Sequence, residues 1–308
     1  MNIENLPSEL LVQILDDCDF ADCMCFRATS SKNYDVGNYV LAKTKTFDFR
    51  RYNDHRHVGI QSRYVETDKK KNSTNLNPTK MINFMEFLPS LRKLVLADLP
   101  CLFTLSDMIK LGKSLPKLNK LVIAQNEEKL WIDKDALMGL TYFRGLESLA
   151  IIGWEPSNIT RRGCAARNEV LPQSTLRNLV KFTIICKRET VSKILHYIID
   201  NKILMTKCVK AKFSIRFSIS DLPLLVMKFM EYHPKLQSIC YEGLLFITQE
   251  QVESFYNHIL ALCHLEKVRL ENCSVVDRIN REITNTFLET LRERDIKFTN
   301  TVKSMSYG

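Results

Sequence analysis

Residues able to do catalytic chemistry are scattered along this chain. Its six histidines are scattered, and the sequence contains no glycine-rich phosphate loop, no HExxH and no GxSxG. Cys263 stands beside His264, but a cysteine at a helix-to-strand boundary is usually buried and unreactive. Cys23 and Cys25 follow Cys18 at a spacing that does not suit a zinc site, and the ten cysteines indicate core packing. We therefore expect no enzyme, metal site or cofactor.

Basic side chains instead recur at one position of a repeated Leu-x-x-Leu-x-Leu segment. Alternation along a strand turns the residues on either side of the second apolar position to one face. The residue before it is Lys93, Lys120, Ser148, Lys181, Lys212, Ser238 and Lys267 in successive copies. The residue after it is Val95, Val122, Ala150, Thr183, Ser214, Cys240 and Arg269. The lysines and Arg269 predict a stripe that binds an acidic or phosphorylated protein, although lysines on a solvated sheet also resist aggregation.

The segment returns at near-constant intervals. Copies begin at Leu91, Leu118, Leu146, Leu179, Leu236 and Leu265, with steps of 27, 28, 33, 57 and 29 residues. The longest step is close to two repeats and holds a fainter copy, Phe213-x-Ile215, while Ile296-x-Phe298 ends the series. These intervals are typical of leucine-rich repeats, in which each unit adds a parallel strand that needs neighbours to bury its apolar side. The pattern predicts about eight units.

Helical segments are predicted between the strands. They cover residues 106–114, 190–201, 222–232, 249–262 and 278–294. Within the 33-residue step, residues 158–172 form an insert that we expect to protrude as a loop. The sequence thus predicts an α/β solenoid, with parallel strands on its concave face and helices on its convex face.

A different pattern occupies residues 1–42. Pro7 suits the first turn of a helix, and Asp19 can cap a second helix that runs through Ala28. A third helix is predicted from about Ser31 to Ala42. The apolar residues on one face of the first helix are Leu10, Leu11, Ile14 and Leu15. Three short helices make a small core, so this module should lean on a partner or on the next domain.

The order of residues in this module resembles the F-box family. The resemblance rests on Leu6-Pro7-Ser8-Glu9-Leu10-Leu11, then Ile14-Leu15, then Phe26-Arg27-Ala28-Thr29-Ser30-Ser31-Lys32 and Tyr34. Thr29 stands near a usual valine and Tyr34 near a usual tryptophan. The resemblance implies docking to a Skp-type adaptor, and through it to a cullin, by Leu6, Pro7, Leu10, Leu11, Ile14, Leu15 and Phe26. The alternative is that these helices only cap the repeat array.

Charge also separates the two parts. Residues 1–42 hold seven acidic and two basic residues, a net charge of −5, whereas the chain as a whole carries +9. Residues 43–80 hold ten basic and four acidic residues, with an irregular strand predicted at residues 46–49 and a mobile loop at 61–78. The predicted domains are an F-box-like helical module at 1–42, a basic linker with an irregular first repeat at 43–80, and the repeat array at 81–308.

These observations favour a non-catalytic substrate-recognition subunit of a Skp-cullin-F-box ubiquitin ligase. The repeats behind an F-box would position a target protein near the ubiquitin-conjugating enzyme, contributing proximity alone. An alternative is a leucine-rich-repeat scaffold that assembles a complex without ubiquitination. A third possibility is that the positively charged repeats bind a nucleic acid, which we consider less probable than binding of a protein. No apolar stretch suits a membrane span and no export signal is visible, so we expect a cytoplasmic or nuclear protein.

Overall fold

Helices and short parallel strands alternate along the chain. The computed structural model describes residues 6–18, 20–51, 65–66, 75–76, 78–97, 99, 101–125, 131–155, 169–216, 222–276 and 281–301. The chain forms two compact units, a first unit of residues 1–145 and a second unit of residues 146–308. The domain bounds predicted from the sequence remain predictions, and the α/β class is confirmed.

Three helices open the first unit: α1 Ser8–Asp16, α2 Phe20–Arg27 and α3 Ser31–Lys43. Pro7 precedes α1, and the hydroxyl of Ser30 accepts a hydrogen bond from the Asn33 amide at 3.2 Å, which caps α3. The predicted cap of α2, Asp19, lies outside the described residues. The small core between the helices consists of Leu11, Leu15, Cys23, Val36, Val40 and Leu41.

A parallel sheet of three strands follows in the first unit. In chain order, the remaining elements are β1 Thr46–Asp48, a 3-10 helix Phe49–Arg51, β2 Val65–Glu66, β3 Asn75–Leu76, α4 Pro78–Met85, β4 Lys93–Ala97, α5 Leu105–Ser114, β5 Lys120–Ala124 and a 3-10 helix Ala136–Tyr142. Strand β4 pairs in parallel with β1 on one side and β5 on the other, and β2 pairs with β3 antiparallel. The predicted irregular strand is therefore present, as β1. Most of the predicted mobile loop lies outside the described residues.

Local sequence explains how the first unit packs. Thr104 and Asp107 form a reciprocal capping box that starts α5. The 3-10 helix Ala136–Tyr142 lies so close to α5 that a Cβ at Gly139 would stand 2.6 Å from Met108 Cβ. Trp131 is fully buried with its ring edge-on to Phe103, and its Nε1 donates to the Ala124 carbonyl oxygen at 2.9 Å. A tight backbone approach at Gly139 and a hydrogen-bonded indole nitrogen at Trp131 thus accompany this core.

The second unit contains six parallel strands in sequential order. Its elements are β6 Ser148–Ile152, α6 Gln173–Asn178, β7 Lys181–Lys187, α7 Arg188–Asp200, β8 Lys210–Arg216, α8 Leu222–Tyr232, β9 Ser238–Glu242, β10 Leu245–Phe246, α9 Gln249–Leu260, β11 Lys267–Glu271, β12 Ser274–Val275, α10 Arg281–Glu293 and β13 Lys297–Thr301. Strands β6, β7, β8, β9, β11 and β13 pair in that order. The short strands β10 and β12 pair separately, also in parallel.

The helices of the second unit pack on one side of its strands. The Phe213 ring in β8 meets Phe229 of α8 with centroids 5.0 Å apart, and Tyr241 in β9 meets Phe255 of α9 at 6.0 Å. We call this the helix-covered face and the opposite side of the strands the outward face. The helix-covered face carries the buried core, which follows from the alternation of side chains along each strand.

Strand register corrects one part of the sequence interpretation. Phe213 pairs with Ile184 and Tyr241, so it occupies the third apolar position of its repeat, whereas the sequence suggested the second. The repeat is Cys208-x-x-Ala211-x-Phe213, and the 57-residue step divides into 29 and 28. Cysteine and alanine stand at the two positions where the other copies have leucine or another large apolar residue. Both are small, apolar and buried here, so they suit the core, but a search for leucines does not detect this copy.

The predicted helices agree with the observed ones to within a few residues. Helix α8 matches its predicted range, and α5, α7 and α9 differ by one or two residues at an end. Helix α10 begins at Arg281, and the residues predicted just before it lie outside the described chain. Most of the insert that was predicted to protrude, residues 158–172, also lies outside the described residues. Its last residues, 169–172, are described and lead directly into α6.

Candidate protein-binding surfaces

The exposed side of α1 carries an apolar pair. Leu10 and Ile14, one helical turn apart, each leave 44% of their surface exposed, whereas Leu11 and Leu15 on the neighbouring side of the helix are 1% and 4% exposed. Pro7 is also exposed. We call Pro7, Leu10 and Ile14 the α1 patch. Nothing in the described part of the first unit covers the patch, so it is available to another protein.

Burial corrects the predicted set of adaptor-binding residues. Leu11 and Leu15 hold α1 against its neighbours and cannot contact a partner in this conformation. Leu6 and Phe26 are half-buried. The prediction was wrong for the two leucines because their neighbours in sequence, Leu10 and Ile14, are equally apolar, and the sequence pattern cannot tell which half of a broad apolar face turns inward.

Polar contacts fix the start of α1 within the helical module. The Lys32 ammonium, in the first turn of α3, donates to the Leu6 carbonyl oxygen at 2.7 Å. Glu9, Asp16 and Asp17 are exposed on or just after α1. The α1 patch therefore stands on an anchored helix and is bordered by carboxylates, which suits a contact of apolar core and acidic rim.

Arg27 joins the helical module to the rest of the first unit, a role that the sequence did not reveal. Its guanidinium lies 4.4 Å from the ring centroid of Tyr34 in α3 and 4.2 Å from that of Phe87, just after α4. Gly37 makes the approach possible, because a Cβ there would stand 2.9 Å from Arg27 Cβ. Two aromatic rings thus hold one cation, a favourable arrangement for arginine.

In the first unit, the two predicted lysines, Lys93 of β4 and Lys120 of β5, are in register but unequally accessible. Lys93 pairs with Lys120, as expected, and Lys120 is exposed while Lys93 is half-buried. On the same side of β4, Val95 and Ala97 are only 1% and 0% exposed. The side chains of β4 on this side are therefore packed over, so the predicted stripe of lysines is not open at this strand.

The outward face of the second unit is more uniformly basic than predicted. Its first row, the residues in register with Lys181, is Ser148, Lys181, Lys210, Ser238, Lys267 and Lys297. Its second row is Ala150, Thr183, Lys212, Cys240, Arg269 and Thr299. Lys212, placed in the first row from the sequence, belongs to the second row, and Lys210 takes its place because the β8 repeat was misaligned. All four lysines of the first row are exposed.

Two carboxylates border this basic face at the carboxyl ends of the strands. Glu242 accepts hydrogen bonds from Ser214 Oγ at 2.6 Å and from Asn272 Nδ2 at 3.3 Å. Glu271 forms an ion pair with Arg269 in its own strand. Arg269, one of the predicted partner-binding cations, is therefore neutralised by a neighbour, whereas the first-row lysines make no ion pair within the described chain.

Three of the nine described cysteines are buried. Cys23, Cys186 and Cys208 are buried, and burial raises the pKa of the Cys186 and Cys208 thiols to about 12. The expectation of buried cysteines is wrong at three exposed positions, Cys18, Cys25 and Cys263, and Cys164 lies outside the described residues. Among the described residues, no group of three or more His, Cys, Asp or Glu side chains is placed to hold a metal.

His233 is a buried polar residue that the sequence did not single out. Its ring stacks on Phe229 with centroids 4.1 Å apart, Nδ1 donates to the Phe229 carbonyl oxygen at 2.6 Å, and Nε2 accepts from the Met205 amide at 3.2 Å. The two bonds require a neutral imidazole with its proton on Nδ1. Burial lowers the pKa of His233, which agrees with a structural role for the neutral form.

Comparisons with known proteins add little to this description. No protein-family model and no curated protein matches the chain. Among solved structures, a structural-genomics target from Bacteroides fragilis is similar with a TM-score of 0.43 at 12% identity, over 76% of this chain and 72% of that chain. No helix in the described part of the chain is long and apolar enough to span a membrane. The positions of the side chains therefore carry the functional argument.

Proposed function

We propose that this protein is the substrate-recognition subunit of a Skp-cullin-F-box type ubiquitin ligase. The helical module at the front of the first unit docks a Skp-type adaptor, and the repeats of the second unit hold a target protein on their outward face. The chain itself performs no chemistry. It raises the effective concentration of target lysines near a ubiquitin-charged enzyme.

The observation that carries the proposal is the α1 patch. Two large apolar side chains one turn apart on an anchored helix cost free energy in water, and burying the 44% of each that is still exposed would return about 0.7–1.3 kcal/mol. If α1 only capped the repeats, its apolar side chains would be expected to turn inward, as Leu11 and Leu15 do. Leu10 and Ile14 do not. Their exposure, together with the F-box-like order of residues that contains them, favours docking to a separate protein.

The test is co-expression of the full chain with a Skp-type adaptor and a cullin, followed by affinity recovery. The double variant Leu10→Asp, Ile14→Asp should lose adaptor recovery by about 100-fold or more, since two central apolar contacts are replaced by charge. The matched control is Leu204→Asp, an apolar residue of the second unit that is 49% exposed. It should recover as much adaptor as the wild type. Equal recovery with the double variant and the wild type would refute the proposal.

The alternative function, a repeat scaffold without target turnover, makes a different prediction in the same experiment. A scaffold needs neither adaptor nor cullin, so neither would be recovered with the wild-type chain. Recovery of the adaptor without the cullin would also favour a scaffold, because an SCF-type receptor acts only in the complete assembly.

A further inference from the structure

We propose that a second copy of this chain pairs with β13, so that two molecules join edge to edge through their last strands. Within the described chain β13 has one neighbouring strand, β11, and its other edge is open. An open edge is a template for a further strand, which many proteins block with a helix, a loop or a bulge. This inference goes beyond the proposed recognition role, because it needs neither an adaptor nor a target.

The packing of Phe298 in β13 shows that the edge is unfinished. Its ring lies edge-on to Phe287 of α10 with centroids 5.9 Å apart, yet the side chain is only half-buried. The residues in register with it on the other strands of the second unit are at most 3% exposed: Leu149, Phe182, Ala211, Ile239 and Val268. A further strand beside β13 would cover Phe298 in the same way.

The last repeat is held firmly, so its edge is ready to pair. Phe287 of α10 stacks on Tyr256 of α9 with ring centroids 3.9 Å apart. The guanidinium of Arg294 donates to the carbonyl oxygens of Leu260 and Leu262 at 2.5 and 2.7 Å. A strand that is already ordered loses little conformational entropy when it gains a partner.

Main-chain groups of Phe298 and Asn300 point toward the open edge. The Lys297 amide donates to the Glu266 carbonyl oxygen, at the start of β11, at 2.9 Å. Successive residues of a strand direct their N–H and C=O groups to opposite edges. Lys297 and Thr299 therefore bond toward β11, and the groups of Phe298 and Asn300 are directed to a strand on the other side.

A two-fold axis through Thr299 lets two copies of β13 serve each other in an antiparallel pair. Phe298 of each copy comes opposite Asn300 of the other, and the two pairs exchange four hydrogen bonds. Thr299 faces its own counterpart, and threonine pairs across strands are favourable. Lys297 comes opposite the uncharged Thr301, so the two lysines are not opposed. The strand is thus complementary to itself.

The helix beside β13 also favours a second copy as the occupant. An axis normal to the sheet keeps both helix-covered faces on one side and places the two α10 helices side by side in opposite directions. Each end of the helix pair then combines Arg281 and Glu282 of one copy with Arg292 and Glu293 of the other, and all four side chains are exposed. Two positive and two negative charges therefore meet at each end, which is electrostatically complementary.

Sedimentation equilibrium of the purified full chain tests the proposal. The wild type should be dimeric at about 10 μM, as expected for a Kd of about 1 μM or lower. Asn300→Pro removes two of the four hydrogen bonds and should raise the Kd at least about tenfold, while the bonds of β13 to β11 remain. The matched control, Asn300→Thr, keeps the N–H group and should dimerise as the wild type does. A monomeric wild type at this concentration, or equal dimerisation of the two variants, would overturn the proposal.

Disulfide cross-linking tests the register without removing any hydrogen bond. In Thr299→Cys the two cysteines face each other with Cα atoms about 4.5 Å apart, so oxidation with copper phenanthroline should link the copies. In Lys297→Cys the two cysteines lie about 14 Å apart, too far for a bond, and the yield should not exceed that of the wild type. The wild type corrects for its exposed native cysteines. Equal yields from the two variants would contradict the two-fold axis at Thr299.

Discussion

The helical module of the first unit and the strands and helices of the second unit, called the array below, differ in how many of their apolar side chains are exposed to water. The module buries Leu11 and Leu15 but leaves Leu10 and Ile14 in water. In the second unit, none of the strongly exposed large apolar residues lies in a strand of the six-stranded sheet as described. Three short helices enclose too little volume for all their apolar side chains, whereas each repeat gains a neighbour that covers it. The two regions therefore offer different chemistry to partners, apolar at the module and charged at the array.

The largest expected effect comes from opening the core of the array. Phe213 is fully buried, with its ring near those of Phe182, Phe229 and Tyr241 at 5.0–6.2 Å. Phe213→Ala should lower the free energy of unfolding by about 3–5 kcal/mol, because it removes the contacts and leaves a cavity. Urea denaturation followed by circular dichroism measures this change.

The corresponding change in the helical module tests whether its three helices unfold separately from the second unit. Leu11→Ala should also destabilise, by about 2–5 kcal/mol, but the effect should stay local. Hydrogen exchange would then show faster exchange at α1–α3 and unchanged protection at β7–β9. Loss of protection in both regions with either variant would mean that the helical module and the second unit unfold as one cooperative body and do not differ in local stability.

Much of the fold follows from the sequence, because the repeated leucines mark the strands and the helices fall between them. What the sequence did not provide was the identity of residues whose role depends on register or on a distant partner. Ala211 and Cys208 disguised one repeat, and Lys212 was misplaced as a consequence. The contacts of Arg27 with Phe87 and of His233 with Met205 join residues 60 and 28 positions apart in the chain. No periodic pattern reports such pairs, since each forms only when the chain has folded.

A smaller effect on the free energy of unfolding is expected from a change of pH, and we expect it in the second unit, which contains His233. The folded chain keeps His233 neutral and lowers its pKa, so below about pH 6.5 the unfolded chain takes up a proton more readily than the folded chain. The free energy contributed by the neutral ring is fully present above that pH and is lost as the pH falls toward the lowered pKa. Thermal unfolding between pH 8 and pH 5 measures this loss.

Two variants isolate the contribution of this histidine. His233→Phe keeps a ring beside Phe229 but leaves the Met205 amide without its acceptor, at a cost of about 1–3 kcal/mol at pH 8, and it should flatten the decline toward pH 5. His196→Gln, at an exposed position of α7, should keep the decline of the wild type. If the decline persists in His233→Phe, other groups cause it and the pH dependence says nothing about this site.

The smallest effect concerns the link between the helical module and the rest of the first unit. Phe87→Leu retains apolar bulk but removes the ring that Arg27 faces, which should cost about 0.5–1 kcal/mol at this partly exposed site. Because the lost contact ties α2 to the chain after α4, hydrogen exchange should quicken in α2 and α3 while β4 stays protected. Tyr142→Leu, which removes a ring facing Lys113 away from the module, is the control. Unchanged exchange in α2 would show that packing, with no contribution from the cation, holds the module in place.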